Sequence, residues 1–173
     1  MKFNEFYSLT IVHSRDIILV KGVDYMNITK QKSQKTFDKQ AADYDTNIQG
    51  EHARKLYKPI IENLKNKNIH SILDLGCGTG ALLKEIKELN IAEQLFGIDI
   101  SPNMLEIAKN KLGNDATLIL GDSERLPFED SSFDAIVCND SFHHYPQPDI
   151  VEKEVSRCLK QNGVFIIGDC WQP

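Results

Sequence analysis

Three glycines at alternate positions, Gly76, Gly78 and Gly80, follow the short apolar run Ile72-Leu73-Asp74-Leu75. Glycine lets the backbone turn tightly and lets a ligand approach the main chain closely. Where a strand ends in such a loop and a helix follows, the free N–H groups at the helix start favour an anionic or polar ligand end. Asp74 sits just before the glycines. A carboxylate there repels a pyrophosphate but attracts an ammonium group, directly or through water. An amino-acid head group has both charges, so the loop suits it better than a diphosphate. Gly76, Gly78 and Ala81 also match G-x-G-x-x-A, a dinucleotide fingerprint. The plain structural alternative is a tight turn with no ligand.

Two further acids extend the pattern. Asp99 ends Phe96-Gly97-Ile98-Asp99, nineteen residues after Gly80. A carboxylate at the end of a second strand can accept hydrogen bonds from both ribose hydroxyls; otherwise it is an acid near a helix N-terminus at Ser101. Asp122 lies in Gly121-Asp122-Ser123-Glu124-Arg125-Leu126-Pro127-Phe128. It can accept from an exocyclic adenine amine, with Leu126, Pro127 and Phe128 closing the apolar side of a purine pocket. The alternative is an ordinary acidic turn. His143 and His144 follow in Asn139-Asp140-Ser141-Phe142-His143-His144-Tyr145. A histidine in a loop over a cleft can act as general base toward a hydroxyl or an activated carbon acid, or can be a structural histidine bonded to backbone. Adjacent histidines make a poor metal pair without a third ligand, and no metal is expected.

Positioning these residues takes alternating strands and helices. Strands are expected at 71–75, 94–99, 116–120, 133–139 and 164–168. Helices are expected at 81–89, from Ser101 as cap to about Lys111, and at 149–159. Pro102 belongs in the first helical turn, and Gln161-Asn162-Gly163 reads as the turn before the fifth strand. This alternation implies βαβ units, a parallel sheet and helices on both faces. The ligand site then lies at the carboxyl ends of the strands, near the topological switch point. Upstream, 36–66 is helical in pattern, and Pro59 should kink or restart its second run. Ile17-Ile18-Leu19-Val20 is a candidate strand with no evident partner. Three parts are expected: 1–25 as an N-terminal extension, 26–66 as a helical cap and 67–173 as the core. Met26 is a candidate natural start.

Composition narrows the partners. The 173 residues carry 25 acidic and 20 basic side chains, net −5, with no basic patch to hold a phosphate backbone. No nucleic acid is expected. Cys77, Cys138, Cys158 and Cys170 form no C-x-x-C pair, so reduced and mostly buried thiols are expected. Residues 6–20 are interrupted by His13, Arg15 and Asp16 and lack a cleavage site. A signal peptide and a membrane span are not expected, and the location is read as cytoplasmic.

Taken together, Asp74-Leu75-Gly76-Cys77-Gly78-Thr79-Gly80, Asp99 and Gly121-Asp122 resemble the class I, Rossmann-like methyltransferases that use S-adenosylmethionine, in particular the small-molecule branch with quinone-biosynthesis C-methyltransferases. Phe37-Asp38-x-x-Ala41-x-x-Tyr44-Asp45 resembles that family's cofactor-covering element. The resemblance implies a three-layer α/β/α sandwich with sheet order 3-2-1-4-5. It implies that Asp74, Gly76, Cys77, Gly78 and Gly80 surround the methionine moiety and that Asp99 binds ribose. Ile100 and Met104 would lie against adenine, with Asp122 and Ser123 at its edge. Asn139 would lie near the methyl group, and Tyr44 would close over the cofactor. His144 and His143 are the candidate bases, a small molecule is the acceptor, and S-adenosylhomocysteine is the product. The family normally continues past the fifth strand with a helix and two strands, one antiparallel, whereas this chain stops at Gly168-Asp169-Cys170-Trp171-Gln172-Pro173. The fifth strand is therefore expected at an exposed edge, where self-association is a possibility. A noncatalytic cofactor-binding remnant and a nicotinamide-dependent oxidoreductase are the competing readings.

Overall fold

The structure, a computed structural model, describes residues 7–12 and 25–170. Among the described residues, six strands form one sheet: β1 (Tyr7–Val12), β2 (Ile69–Leu75), β3 (Ala92–Asp99), β4 (Ala116–Leu120), β5 (Phe133–Asn139) and β6 (Leu159–Cys170). Their order is β1-β6-β5-β2-β3-β4. The pairs from β6 through β4 are parallel, which is the expected 3-2-1-4-5 arrangement.

Five α-helices among the described residues accompany the sheet: α1 (Tyr25–Gln40), α2 (Ile48–Leu64), α3 (Ala81–Glu88), α4 (Pro102–Leu112) and α5 (Pro148–Cys158). Side chains alternate across a strand with a period of two, and the two cores follow that alternation. Ile72, Ala135, Val137 and Ile166 pack with α2, α3 and α4. Their chain neighbours Leu73, Ile136, Cys138 and Phe165 pack on the other face with Val151 and Val155 of α5. Strand order reverses between β2 and β5, so their carboxyl ends part and leave a crevice.

Local signals explain most boundaries. Ser101 caps α4, its side chain accepting from Met104 N, and Pro102 opens the helix. Asn47 caps α2 by accepting from Gly50 N. Pro59 does not interrupt α2, which runs through it as one helix. Leu56, Ile60, Ile61 and Leu64 are buried there. Each such side chain contributes about 1.5–3 kcal/mol by burial, so together they exceed the ~3 kcal/mol that an interior proline costs. The turn at 161–163 lies within β6. Phe133 pairs with Leu159 and Ala135 with Val164, so the intervening residues bulge from the ladder, with Asn162 at φ +67°.

One expectation is corrected. β6, the fifth parallel strand, is not an edge. All six residues of β1 pair with it antiparallel, from Tyr7 with Cys170 to Val12 with Phe165. The backbone groups expected to face solvent are satisfied within the chain, so association through an open fifth strand loses its physical basis. The candidate strand at Ile17–Val20 lies outside the described residues. α1 also starts well before Thr36, taking in the polar stretch from Asn27.

Candidate functional site

The crevice at the carboxyl ends of β2, β3 and β5 holds two adjoining cavities of about 520 and 500 Å3, counted to their open mouths. Gly76, Asp99, Phe37 and Ser141 line both. The first cavity adds Tyr44, Asp74, Cys77, Gly78, Met104 and Asn139. The second adds Ile100, Asp122, Ser123 and His144. The crevice thus gathers the singled-out residues except Gly80, His143 and Leu126-Pro127-Phe128; the last three line neither cavity, and Leu126 and Phe128 pack into the core beside α5 instead of closing a purine pocket.

The glycine loop explains itself residue by residue. Gly76 and Gly78 have φ of +68° and +51°. A Cβ on Gly76 would lie 2.1 Å from Ser141 Oγ, whereas one on Gly78 would meet nothing within 4 Å. Gly78 therefore faces open space, and its N–H donates to Asp99 Oδ2 at 2.8 Å. Gly80 serves packing instead: its Cβ would strike Leu112 and Ala108 of α4.

Two buried oxygens in the first cavity have no hydrogen-bond partner, Oδ1 of Asp74 and Oδ1 of Asn139. Asp74 is 2 % exposed. Burial, and then the nearby Asp99, push its carboxyl well above the usual carboxylate range. Burial also raises Asp99, against hydrogen bonds from the Ser101 and Gly78 N–H groups that favour its charged form. An unpaired buried carboxyl costs free energy. Its persistence at a crevice floor calls for a donor, preferably cationic.

α1 and the turn after it roof the crevice. Lys30 Nζ bonds Asp122 at 2.6 Å and also Glu124. Burial depresses the ammonium, but those two hydrogen bonds outweigh it and raise the pKa. Asp38 accepts from Ser101 Oγ at 2.6 Å. Asp45 accepts from Thr79 Oγ1 and from Lys111 Nζ, at 2.5 and 2.7 Å. Tyr44 is pushed up to about 12 by burial and then by Asp140. Sequence reasoning missed Lys30 and Ser33, which line the second cavity with Phe37. Their spacing of three and four is a helical stripe, hidden because the stretch reads as polar.

The histidines divide. His143 Nδ1 lies 2.6 Å from Asp169 Oδ1, and its backbone N–H donates to Asp169 Oδ2. The hydrogen bond with Asp169 raises the His143 pKa. Asp140, His143 and Asp169 bring ligand atoms within 4.8 Å of one another, although the His143 Nδ1 is already engaged by Asp169. His144 lines the second cavity, edge-on to Phe37 at 5.2 Å. Burial and then His143 lower its pKa, so a neutral ring faces the crevice at pH 7.

Residues 73–167, more than half of the chain, match the family described as a methyltransferase domain. The chain belongs to the class I S-adenosylmethionine-dependent methyltransferases. Among curated members of this methyltransferase family it is 33% identical over 148 residues to a demethylmenaquinone methyltransferase of Thermotoga maritima, covering 84% of this chain and 64% of that protein. It is 35% identical over 125 residues to a sterol 4-C-methyltransferase of Caenorhabditis elegans, covering 69% of this chain and 36% of that protein. The chain thus spans less than two thirds of either relative. A solved phosphoethanolamine N-methyltransferase of Haemonchus contortus, in complex with phosphoethanolamine and S-adenosylhomocysteine, superposes with a TM-score of 0.73 at 17% identity. That match covers 87% of this chain and 34% of that one, and shows the shared fold. The methyltransferase crevice fits the family's cofactor chemically. An unpaired buried carboxylate oxygen suits its ammonium, and the Gly78 surface leaves room beside the main chain.

Proposed function

We propose that this groove binds S-adenosylmethionine and that the chain transfers its methyl group to a small-molecule acceptor by in-line displacement, leaving S-adenosylhomocysteine. One observation carries the reading: a buried carboxylate oxygen of Asp74, behind the glycine loop, lacks a partner that an ammonium group would supply. Gly76, Cys77 and Gly78 would surround the methionine end, with Gly80 holding the loop against α4. Asp99 would accept from the ribose hydroxyls. Ile100 and Met104 would pack on adenine, with Asp122 and Ser123 at its edge. Asn139 would lie near the methyl group, under Tyr44.

The bound cofactor supplies a sulfonium methyl as electrophile. The chain's main task is positioning, and alignment near attack distance is worth about 7–11 kcal/mol. The methyl carbon's bond to sulfur breaks, its electron pair staying on sulfur, as the acceptor's lone pair forms the new bond. Where the acceptor must lose a proton, the neutral His144 ring would take it, for about 10²–10⁴-fold in rate. His143, tied to Asp169, would hold the turn that presents it.

Relatives named for sterol and demethylmenaquinone methylation support a small-molecule acceptor. The net charge of −5 argues against nucleic acid. Among the described residues no helix is long and apolar enough to cross a membrane, and we assign the chain a cytoplasmic location. In our division, 67–173 is the cofactor core, 26–66 is the helical part that includes its roof, and 1–25 is an extension that lends a strand to the sheet. The competing reading is a cofactor binder without turnover. A nicotinamide enzyme would need a diphosphate beside Asp74.

Thermal unfolding with S-adenosylmethionine, S-adenosylhomocysteine and NAD tests this. A ligand at 100 times its Kd adds about 2.7 kcal/mol of stability. We expect a shift with both adenosyl ligands and none with NAD. A shift with NAD alone overturns the proposal, and binding without methylation of any acceptor selects the second reading.

A further inference from the structure

The Tyr145 hydroxyl is enclosed beneath the glycine loop and touches three groups. Ser123 Oγ lies 3.2 Å away, Ser141 Oγ 3.0 Å and Cys138 Sγ 3.8 Å. A phenol oxygen has two lone pairs and one hydrogen, so these neighbours use it fully. The two serines come from different loops. Ser123 follows β4 and lines the second cavity, whereas Ser141 follows β5 and lines both. Gly76 sits directly over the pair: a Cβ there would lie 2.1 Å from Ser141 Oγ and 3.2 Å from the Tyr145 hydroxyl. The room that this glycine leaves is filled by the tie between the loops. The Tyr145 ring is fixed as well, edge-on to Phe142 at 5.8 Å, and its N–H donates to Phe142 O at 3.1 Å.

We propose that Tyr145 is a positioning residue of the cofactor groove, its hydroxyl holding Ser123 and Ser141 at a fixed separation across the junction of the two cavities. The proposal rests on the cofactor reading above. Without the hydroxyl, each serine loses its partner and can turn to other rotamers. The adenine end and the methyl end then no longer keep a common register.

Calorimetric titration of the full chain with S-adenosylhomocysteine provides the test, using Tyr145→Phe, Ser123→Ala and the double variant. Tyr145→Phe should raise Kd about five- to tenfold, the range of one lost hydrogen bond. Ser123→Ala should raise it comparably, and the double variant no further than Tyr145→Phe, since the phenol acts through Ser123. A purely structural tyrosine would not produce that coupling. It would also leave the 13Cζ resonance of labelled Tyr145 unmoved by ligand, whereas the proposal requires it to shift. Unaltered affinity in a folded Tyr145→Phe variant, or strictly additive losses, overturns the proposal while leaving the cofactor reading intact. Failure of the native chain to bind either adenosyl ligand overturns both. Should Tyr145→Phe not fold, Ser141→Ala keeps the ring and must itself raise Kd; no change there overturns the proposal.

Discussion

Asp74 sits where a carboxylate is expensive. Burial raises its pKa, so the fold favours the neutral acid. Its contribution to stability is full below the ordinary carboxylate range and is lost as pH rises through the raised value. Asn has nearly the same shape and stays neutral. Asp74→Asn should therefore hold or raise the ligand-free thermal midpoint at pH 7 while weakening S-adenosylhomocysteine about tenfold or more, the worth of a charged hydrogen bond. A lower midpoint with unchanged affinity would place the residue outside the site. His143 titrates in the same sense, although its protonated form is the charged one. Its hydrogen bond with Asp169 raises the imidazole pKa, so the stabilisation is full below about 6.5 and fades as pH climbs through the raised value. Midpoints of the native chain and His143→Gln should diverge between pH 5 and 6.5, roughly, and converge in alkaline buffer. A constant gap means the pair carries no charge.

Among the elements, α1 and α2 differ in what holds them. α2 is fixed by buried Leu56, Ile60, Ile61 and Leu64, whereas α1 rests on polar links such as Lys30 to Asp122 and Asp38 to Ser101. Such links give about 0.5–1.5 kcal/mol each, more where charged, so α1 is more weakly anchored than α2. β1 is held by backbone pairing to β6. A chain started at Met26 leaves that ladder open, and we expect a lower thermal midpoint and concentration-dependent light scattering. Unchanged behaviour would make residues 1–25 dispensable. Elements with strong periodicity were legible: Leu82, Leu83 and Ile86 marked α3, and Ser101-Pro102 marked the start of α4. The start of α1, ahead of Thr36, was not, because a stretch anchored by scattered polar contacts carries no apolar stripe. β1 was not, because its pairing depends on a partner at the far end of the chain.

Across the whole molecule, charge and topology act together. The net charge is −5, and Asp99 and Asp140, two of its acids, line the first cavity. S-adenosylmethionine carries one positive charge more than its product, so raising ionic strength from about 0.01 to 0.15 M, where the screening length shortens to about 8 Å, should weaken the methyl donor more than S-adenosylhomocysteine. Equal weakening, read by calorimetry, would mean the field of the groove is neutral to the ligand. At this scale the site was legible because its acids sit at strand ends, which the alternation of elements locates. The second tier, Ser141 and Tyr145, was not: nothing in their spacing signals that a phenol fills the room left by Gly76.

The pairing of Tyr7–Val12 with Phe165–Cys170 also sets an order of events during synthesis. β1 meets its neighbour only after β2 to β5 have been made. Those parallel strands can assemble beforehand, while Tyr7–Val12 waits unpaired. Pairing of β1 with β6 is thus a late step of sheet formation, and over that interval the waiting segment needs protection against joining its counterpart on a neighbouring ribosome.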